Sequence, residues 1–204
     1  MYCAFFMRAL PQEYFLNENV VEIAKSLIGK TLHTLIDGVH TSGIITETEA
    51  YNGTTDKACH AYGGKRTKRT TVMYNEGGIS YVYLCYGIHN LFNIITNKED
   101  YPDAVLIRSI KPVDGISAMM KRRGIDLQSS KLTAGPGRIS QALGISLRHN
   151  GLNLEPESGI WLEDNKEQIT DSHVMSSKRI GISYAEEHAD LPWRFYLKDS
   201  EWVS

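Results

Sequence analysis

The 204-residue chain predicts an α+β fold: a single compact domain over residues 1–204, built on a mainly antiparallel sheet with flanking helices. Strand-like and helix-like segments follow one another in no regular β-α alternation, which argues against a parallel, doubly wound sheet. The two clearest strand pairs are local hairpins, one around Asp37-Gly38 and one around Tyr86-Gly87. No internal repeat, low-complexity tract or Pro/Ser-rich linker divides the chain, and its length suits one substantial core. Residues 1–12 are expected to be a loosely ordered N-terminus.

In chain order, Asn17 is placed to cap a helix through Val20, Val21, Ile23, Ala24, Leu27 and Ile28, whose apolar positions recur at helical spacing before Gly29 ends it. Thr31–Ile36 and Val39–Tyr51 read as strands joined at Asp37-Gly38, a dipeptide that accepts the positive φ of a tight turn. Segments 80–84 and 91–96 are rich in aromatic and β-branched residues and form the second hairpin, with Tyr86 near its tip. Segment 104–110 is an apolar strand interrupted by Arg108, a cation that needs a partner there, and Pro112-Val113-Asp114-Gly115 leads into a helix over Ile116–Arg123. Gly135-Pro136-Gly137-Arg138 opens a helix through Ile139, Ala142 and Leu143, ended by Gly144, and segment 193–203 reads as a last strand.

Composition narrows the function classes. No secretory h-region or membrane span is recognisable, and three widely spaced cysteines, Cys3, Cys59 and Cys85, suit neither a disulfide framework nor a metal quartet. An intracellular, membrane-free protein in a reducing compartment is expected, and with no coiled-coil pattern a monomer. The net charge of −2 conceals an asymmetry. Lys65, Arg66, Lys68 and Arg69 fall together, with Lys121–Arg123, Lys131 and Arg138 further on, whereas segment 155–171 is mostly acidic. The net charge alone argues weakly against a nucleic-acid partner, while the asymmetry leaves room for a basic face on an otherwise acidic protein; Lys121–Arg123 alone reads rather as a solvated helix face.

Strand alternation places Glu47, Glu49 and Tyr51 on one face, so two carboxylates and an aromatic ring share a surface with Arg108 as a candidate neighbour. That set suits a water-activating carboxylate beside a ring on which a planar group stacks; it also suits an exposed strand face with two solvated glutamates. Cys59-His60 is poorly spaced for zinc or for a Cys-His nucleophile, and no metal is expected. Gly63-Gly64 before the basic run lets backbone approach a phosphate, and the Gly135–Arg138 turn combines free amides, a helix start and a cation. Tyr81 and Tyr83 share a strand face, while Tyr86, where the chain reverses, has the position of a wedge that enters a base stack.

Taken in order, Glu13-Tyr14-Phe15, Glu47-Thr48-Glu49-Ala50-Tyr51, His60 before Gly63-Gly64, Tyr81-Val82-Tyr83, Tyr86-Gly87, Asn93, Leu106-Ile107-Arg108, Gly135-Pro136, Gln141-Ala142-Leu143 and Trp202-Val203 resemble the alkyladenine (3-methyladenine) DNA glycosylase family over almost the whole chain. The resemblance implies a curved sheet with a protruding, DNA-wedging hairpin. It implies that Glu49 is the general base and that Arg108 and the carbonyl of Val203 hold the attacking water. Tyr51 and Tyr83 would sandwich the flipped base, His60 would add pocket contacts, Asn93 would help reject guanine, and Tyr86 would intercalate. Lys65, Arg69 and Arg138 are the expected phosphate contacts. The implied partner is double-stranded DNA containing damaged purines, with no cofactor and no metal, and the implied location, if bacterial, is cytoplasmic and nucleoid-associated.

The chain departs from the family pattern at several places: Thr67-Lys68-Arg69-Thr70 in the basic loop, Gly137 for a usual serine, Glu201 for a proline, and His89-Asn90 behind the hairpin tip. The implied reaction is removal of an alkylated or deaminated purine by hydrolysis of its N-glycosidic bond, without strand cleavage. Two other readings fit parts of the sequence. One is a carbohydrate hydrolase using Glu47 and Glu49, roughly 7 Å apart at Cα, as paired carboxylates. The other is a non-catalytic binder of distorted duplex.

Overall fold

The computed structural model describes residues 9–127, 129–164 and 169–204; Cys3 and residues 1–8 of the expected loose N-terminus lie outside them. Among the described residues eight strands, β1 (Thr31–Ile36), β2 (Val39–Tyr51), β3 (Ile79–Cys85), β4 (His89–Thr96), β5 (Asp103–Asp114), β6 (Ile160–Glu163), β7 (Val174–Ser177) and β8 (Arg194–Leu197), form one curled sheet. Its main path runs β3-β4-β5-β2-β1-β6, with β8 on β2 and β7 on β8, and every pairing is antiparallel. Ala9 and Leu10 are tied to the β6 edge, Leu10 N–H donating to Leu162 O at 2.8 Å.

The long strand β2 organises the molecule. One of its edges pairs with β5 throughout, while the other pairs first with β1 and then, at Glu47, Thr48 and Glu49, with β8. The two glutamates therefore lie at the seam where β1 gives way to β8. Two compensating register shifts fall at the same place, between Ile45 and Glu47 and between Glu47 and Thr48. The second leaves Arg108 of β5 without a residue opposite it, and such bulges re-aim side chains. The first hairpin forms as its sequence predicts, with Asp37 at φ 54° and Gly38 at φ 74°.

The helices α1 (Val20–Ser26), α2 (Ile116–Arg123) and α3 (Pro136–Leu143) cover one face of the sheet. Phe15, Leu27, Phe92, Ile94, Val105, Ile107, Ile110, Met119, Ile139 and Leu143 fill the space between. Burying such apolar surface is the main favourable term in the fold. Arg122 and Arg123, read from sequence as part of a basic run, join α2 to its surroundings through the carbonyls of Ala142 and Leu132.

Three expectations need correction. The cap of α1 is Asn19, whose Oδ1 accepts from the amides of Val21 and Glu22, while Asn17 accepts from Asn19 one step earlier. Two asparagines two residues apart offer the same chemistry, and only the helix start distinguishes them. β5 continues through Pro112 to Asp114; the proline sits at a register irregularity opposite Gly43, where no ladder N–H is required. The last strand ends at Leu197, because the chain turns through Asp199 (φ 57°) and carries Trp202 back into the core.

Candidate active site

Glu47 and Glu49 are fully buried, which removes the exposed-face reading. Arg108 reaches both, with Nε 2.9 Å from Oε1 of Glu47 and Nη1 3.3 Å from Oε1 of Glu49. Glu47 also accepts from Ser109 Oγ (2.9 Å), Arg194 Nε (2.6 Å), and the amide (2.7 Å) and hydroxyl (3.0 Å) of Ser204. Burial is the largest single influence on Glu47 and opposes ionisation, but Arg108, the Ser204 amide and Arg194 together outweigh it and hold its pKa below the usual carboxylate value. A carboxylate so saturated is an anchor and has no room for the second role that a paired-carboxylate glycosidase requires.

Glu49 has a different set of partners. Tyr51 donates its hydroxyl to Oε2 at 2.7 Å, and the amide of Ile180 donates to Oε1 at 2.7 Å. Burial first, then the charge and hydrogen bond of Glu49, push the Tyr51 phenol well above the ordinary tyrosine range, so it keeps its proton. Burial disfavours the charge on Arg108, and Glu49 with Glu47 more than restores it, raising its pKa.

These groups back onto a cavity of about 990 Å³. Of the eleven residues singled out from sequence, all except Glu49 and Lys65 line it. Tyr51, Arg108 and Ile180, the three partners of Glu49, border the cavity in front of it. On the far wall His60 pairs Nδ1 with Tyr81 OH at 2.8 Å and meets the Tyr83 ring edge-on at 4.6 Å. Tyr81 and Tyr83 stack at 5.4 Å, as their shared face predicts. Burial, and then the nearby Arg69, push the His60 imidazole down to about 4, so the ring is neutral near pH 7. Asn93 is buried, its Nδ2 donating to Tyr81 O (3.1 Å) and Leu91 O (3.4 Å). The arrangement brings together a buried carboxylate, an arginine oriented by two glutamates, and a cavity lined by aromatic side chains.

A profile of the methylpurine-DNA glycosylase family matches residues 14–201. The chain belongs to this family. It is 48% identical to a protein of Chlamydia felis named "putative 3-methyladenine DNA glycosylase", over 92% of this chain and 95% of the relative. Proteins of the same name from Clostridium novyi and Bacillus cereus are 42% and 44% identical, each over 97% of this chain and 99% of the relative. Membership makes the chain a DNA glycosylase, hence a DNA-repair hydrolase with DNA as its substrate.

The rim of the cavity carries the remaining candidates. Tyr86, 89% exposed, stands at the β3–β4 turn at φ 50° beside Gly87 at φ 74°. Arg69 and Arg138 line the mouth, Arg69 lying 6.0 Å over the Tyr83 ring and Arg138 donating to Ala134 O at 2.9 Å. Lys65 is exposed, whereas Arg66 is turned to Asp100 (2.5 Å) and the Tyr74 ring (3.7 Å). The altered basic loop is held by Thr70, whose Oγ1 accepts from Thr67 N and donates to Lys65 O, both at 2.8 Å. The missing side chain at Gly137 is also explained: a Cβ there would lie 2.9 Å from His89 Cγ.

Sequence reading missed several residues that hold the site. Arg194 and Ser204 complete the Glu47 anchor, and Arg108 Nη2 donates to Ser204 Oγ at 3.0 Å, so Val203 is fixed between two pinned neighbours, Trp202 and Ser204. Arg194, a cation within an apolar segment, carried the same signal as Arg108. Ile180 and Arg179 had no local signal. Cys59 and Cys85 are free thiols, burial pushing that of Cys59 up to about 12. Among the described residues no group of His, Cys, Asp and Glu could hold a metal, and no helix is long and apolar enough to cross a membrane.

Proposed function

We propose that the protein removes alkylated or deaminated purines, of the 3-methyladenine and hypoxanthine type, by flipping them from duplex DNA into the cavity and hydrolysing the N-glycosidic bond, leaving an abasic site. The observation that carries this reading is the setting of Glu49, bound by Tyr51, Arg108 and the Ile180 amide immediately behind an aromatic-lined cavity. The volume, about 990 Å³, is at the upper end of the roughly 300–1,000 Å³ typical of small-molecule sites.

The chemistry follows from the leaving group. A 3-alkylated adenine is cationic, so the C1′–N9 bond breaks with its electron pair passing to the base, which departs neutral. Water adds to C1′ and gives its proton to Glu49, whose negative charge also stabilises the oxocarbenium-like transition state. Arg108 and the Val203 carbonyl orient that water. Hypoxanthine, a neutral lesion, leaves less readily and relies more on polar contacts from His60 and the pocket backbone. Damaged bases stack and pair poorly, which lowers the cost of flipping them. Tyr86 fills the gap in the stack, and Lys65, Arg69 and Arg138 hold phosphates.

The partners of Glu49 are a phenol, a backbone amide and a guanidinium. None is a primary amine able to form a Schiff base, which supports base removal without strand cleavage and thus a monofunctional enzyme. One observation favours a second reading, a non-catalytic lesion binder: Glu49 itself does not border the cavity. Single-turnover assays on duplexes carrying hypoxanthine or an alkylated adenine, with alkali to cleave abasic sites, distinguish the two. Release that requires both the lesion and Glu49, tested with Glu49→Gln, supports the glycosylase; salt-sensitive binding without release supports the binder.

A further inference from the structure

The segment after β7 contributes a residue with no part in the scheme above. The side chain of Arg179 is wholly buried and joins three parts of the chain. It donates to Ala50 O on β2 at 2.8 Å, to both oxygens of Asp56 at 2.5 and 2.9 Å, and to His188 O at 3.1 Å. Its guanidinium carbon lies 4.8 Å from the centre of the Tyr51 ring and 5.1 Å from that of Trp193, and its Nε has no partner. The next amide, that of Ile180, donates to Glu49 at 2.7 Å, although the Ile180 side chain is 45% exposed. Burial of Ile180 therefore does not hold that amide in place. Lys57, paired with Glu186 at 2.5 Å and Glu187 at 2.8 Å, pins the far end of the same segment.

Ala50 is the residue between Glu49 and Tyr51. Arg179 thus grips β2 between the carboxylate and its phenolic donor, packs on the ring of that donor, and carries the second donor on its own C-terminal side. A planar, charged fork suits such a junction because it makes several directed hydrogen bonds from one rigid group while its face covers an aromatic ring.

We propose that Arg179 is a positioning residue for base removal: it sets the geometry of Glu49 from behind, through Tyr51 and through the Ile180 amide. The proposal rests on Glu49 being the general base. It predicts a defect in the chemical step and not in DNA affinity.

The test compares wild type, Arg179→Gln, Arg179→Lys, Tyr51→Phe and the Arg179→Gln/Tyr51→Phe double variant. For each, the single-turnover excision rate on a hypoxanthine duplex, the affinity for a duplex with an abasic-site analogue, and thermal stability are measured. Arg179→Gln is expected to lower the rate about 10–100-fold, the scale of a lost charge-assisted hydrogen bond, with affinity changed less than about threefold. Lysine does not restore the rate, because a point charge cannot make the fork. The double variant loses much less than the product of the single losses, since both act through Glu49. Leu162→Ala, a buried change on β6 of comparable thermal cost, keeps its rate while folded.

Losses that multiply independently, a loss tracked by affinity, or an equal loss in Leu162→Ala would each overturn the assignment. Should Arg179→Gln not fold, Asp56→Asn keeps the arginine charged and is expected to give a smaller loss of the same kind; an unchanged rate there overturns the proposal. A wild-type chain that releases no base overturns the glycosylase reading itself, whereas an active wild type with a fully active Arg179→Gln overturns only the role of Arg179.

Discussion

Tyr51 donates its hydroxyl to Oε2 of Glu49 across 2.7 Å, from two residues further along the same strand. The residue that walls the cavity is therefore also a ligand of the proposed base. Tyr51→Phe separates these roles, because phenylalanine keeps the ring and loses the donor. A hydrogen bond to a charged group contributes about 1.5–3 kcal/mol, so single-turnover excision should fall about 10–100-fold. Affinity for an abasic-analogue duplex should change little. A loss of affinity as large as the loss of rate would mean that the hydroxyl serves binding, not the carboxylate.

Glu47 has the opposite character. It is wholly buried and neutralises Arg108 and Arg194 while pinning Ser204. Removing one partner of a buried ion pair costs about 3–5 kcal/mol. Glu47→Gln should therefore lower the melting temperature by roughly 6–20 °C, at about 2–4 °C per kcal/mol for a chain of this size. The folded pKa of Glu47 is depressed from its ordinary 4.5. Its contribution is thus present above the ordinary value and is lost as pH falls through the folded one. Melts from pH 7 down to pH 3 should show wild type losing its advantage over Glu47→Gln below about pH 4.5; a constant difference would show that the charge is not what matters.

His60 titrates near 4 in the folded protein, held down by burial and by Arg69. Its folded value lies below the ordinary 6.5, so the neutral ring favours folding above pH 6.5, and that advantage is lost as pH falls towards 4. In an NMR titration the His60 ring signals should stay constant from pH 8 to about pH 5.5 and move only near pH 4. A midpoint near 6.5 would mean that the ring is solvated and charges freely. The excision rate should correspondingly show no His60-dependent inflection between pH 6 and 8.

Much of the site was legible because it is local. Asp37-Gly38 fixes the first hairpin, and plain alternation beyond the register shift at Glu47 sends Glu49 and Tyr51 to one side; Gly115 and Gly124, both at positive φ, bound α2 where the sequence placed it. Arg108 was conspicuous as a charge in an apolar strand. What stayed hidden is set by distant contacts. Alternation places Glu47 and Glu49 alike, and only Arg194 and Ser204, over 140 residues away, turn one into an anchor. The Ile180 amide reaches Glu49 across 131 residues, and a backbone donor leaves no mark in composition. The choice between Asn17 and Asn19 as cap was likewise undetermined, because both side chains accept backbone hydrogen bonds.

The rim yields a prediction that separates neighbouring cations in one loop. Arg66 is paired with Asp100 and packed on Tyr74, whereas Arg69 faces the cavity mouth. Each phosphate neutralised by a cation adds about 0.9 to the slope of log affinity against log salt. Arg69→Gln and Arg138→Gln should each reduce that slope by about 1, and Arg66→Gln should leave it nearly unchanged. Tyr86→Ala should weaken lesion-duplex binding with the slope intact, because a wedge acts by stacking and not by charge. With Tyr86 89% exposed, its removal should move the melting temperature by no more than about 1–2 °C. Equal slopes for Arg66→Gln and Arg69→Gln would show that the loop rearranges on DNA and frees Arg66 from Asp100.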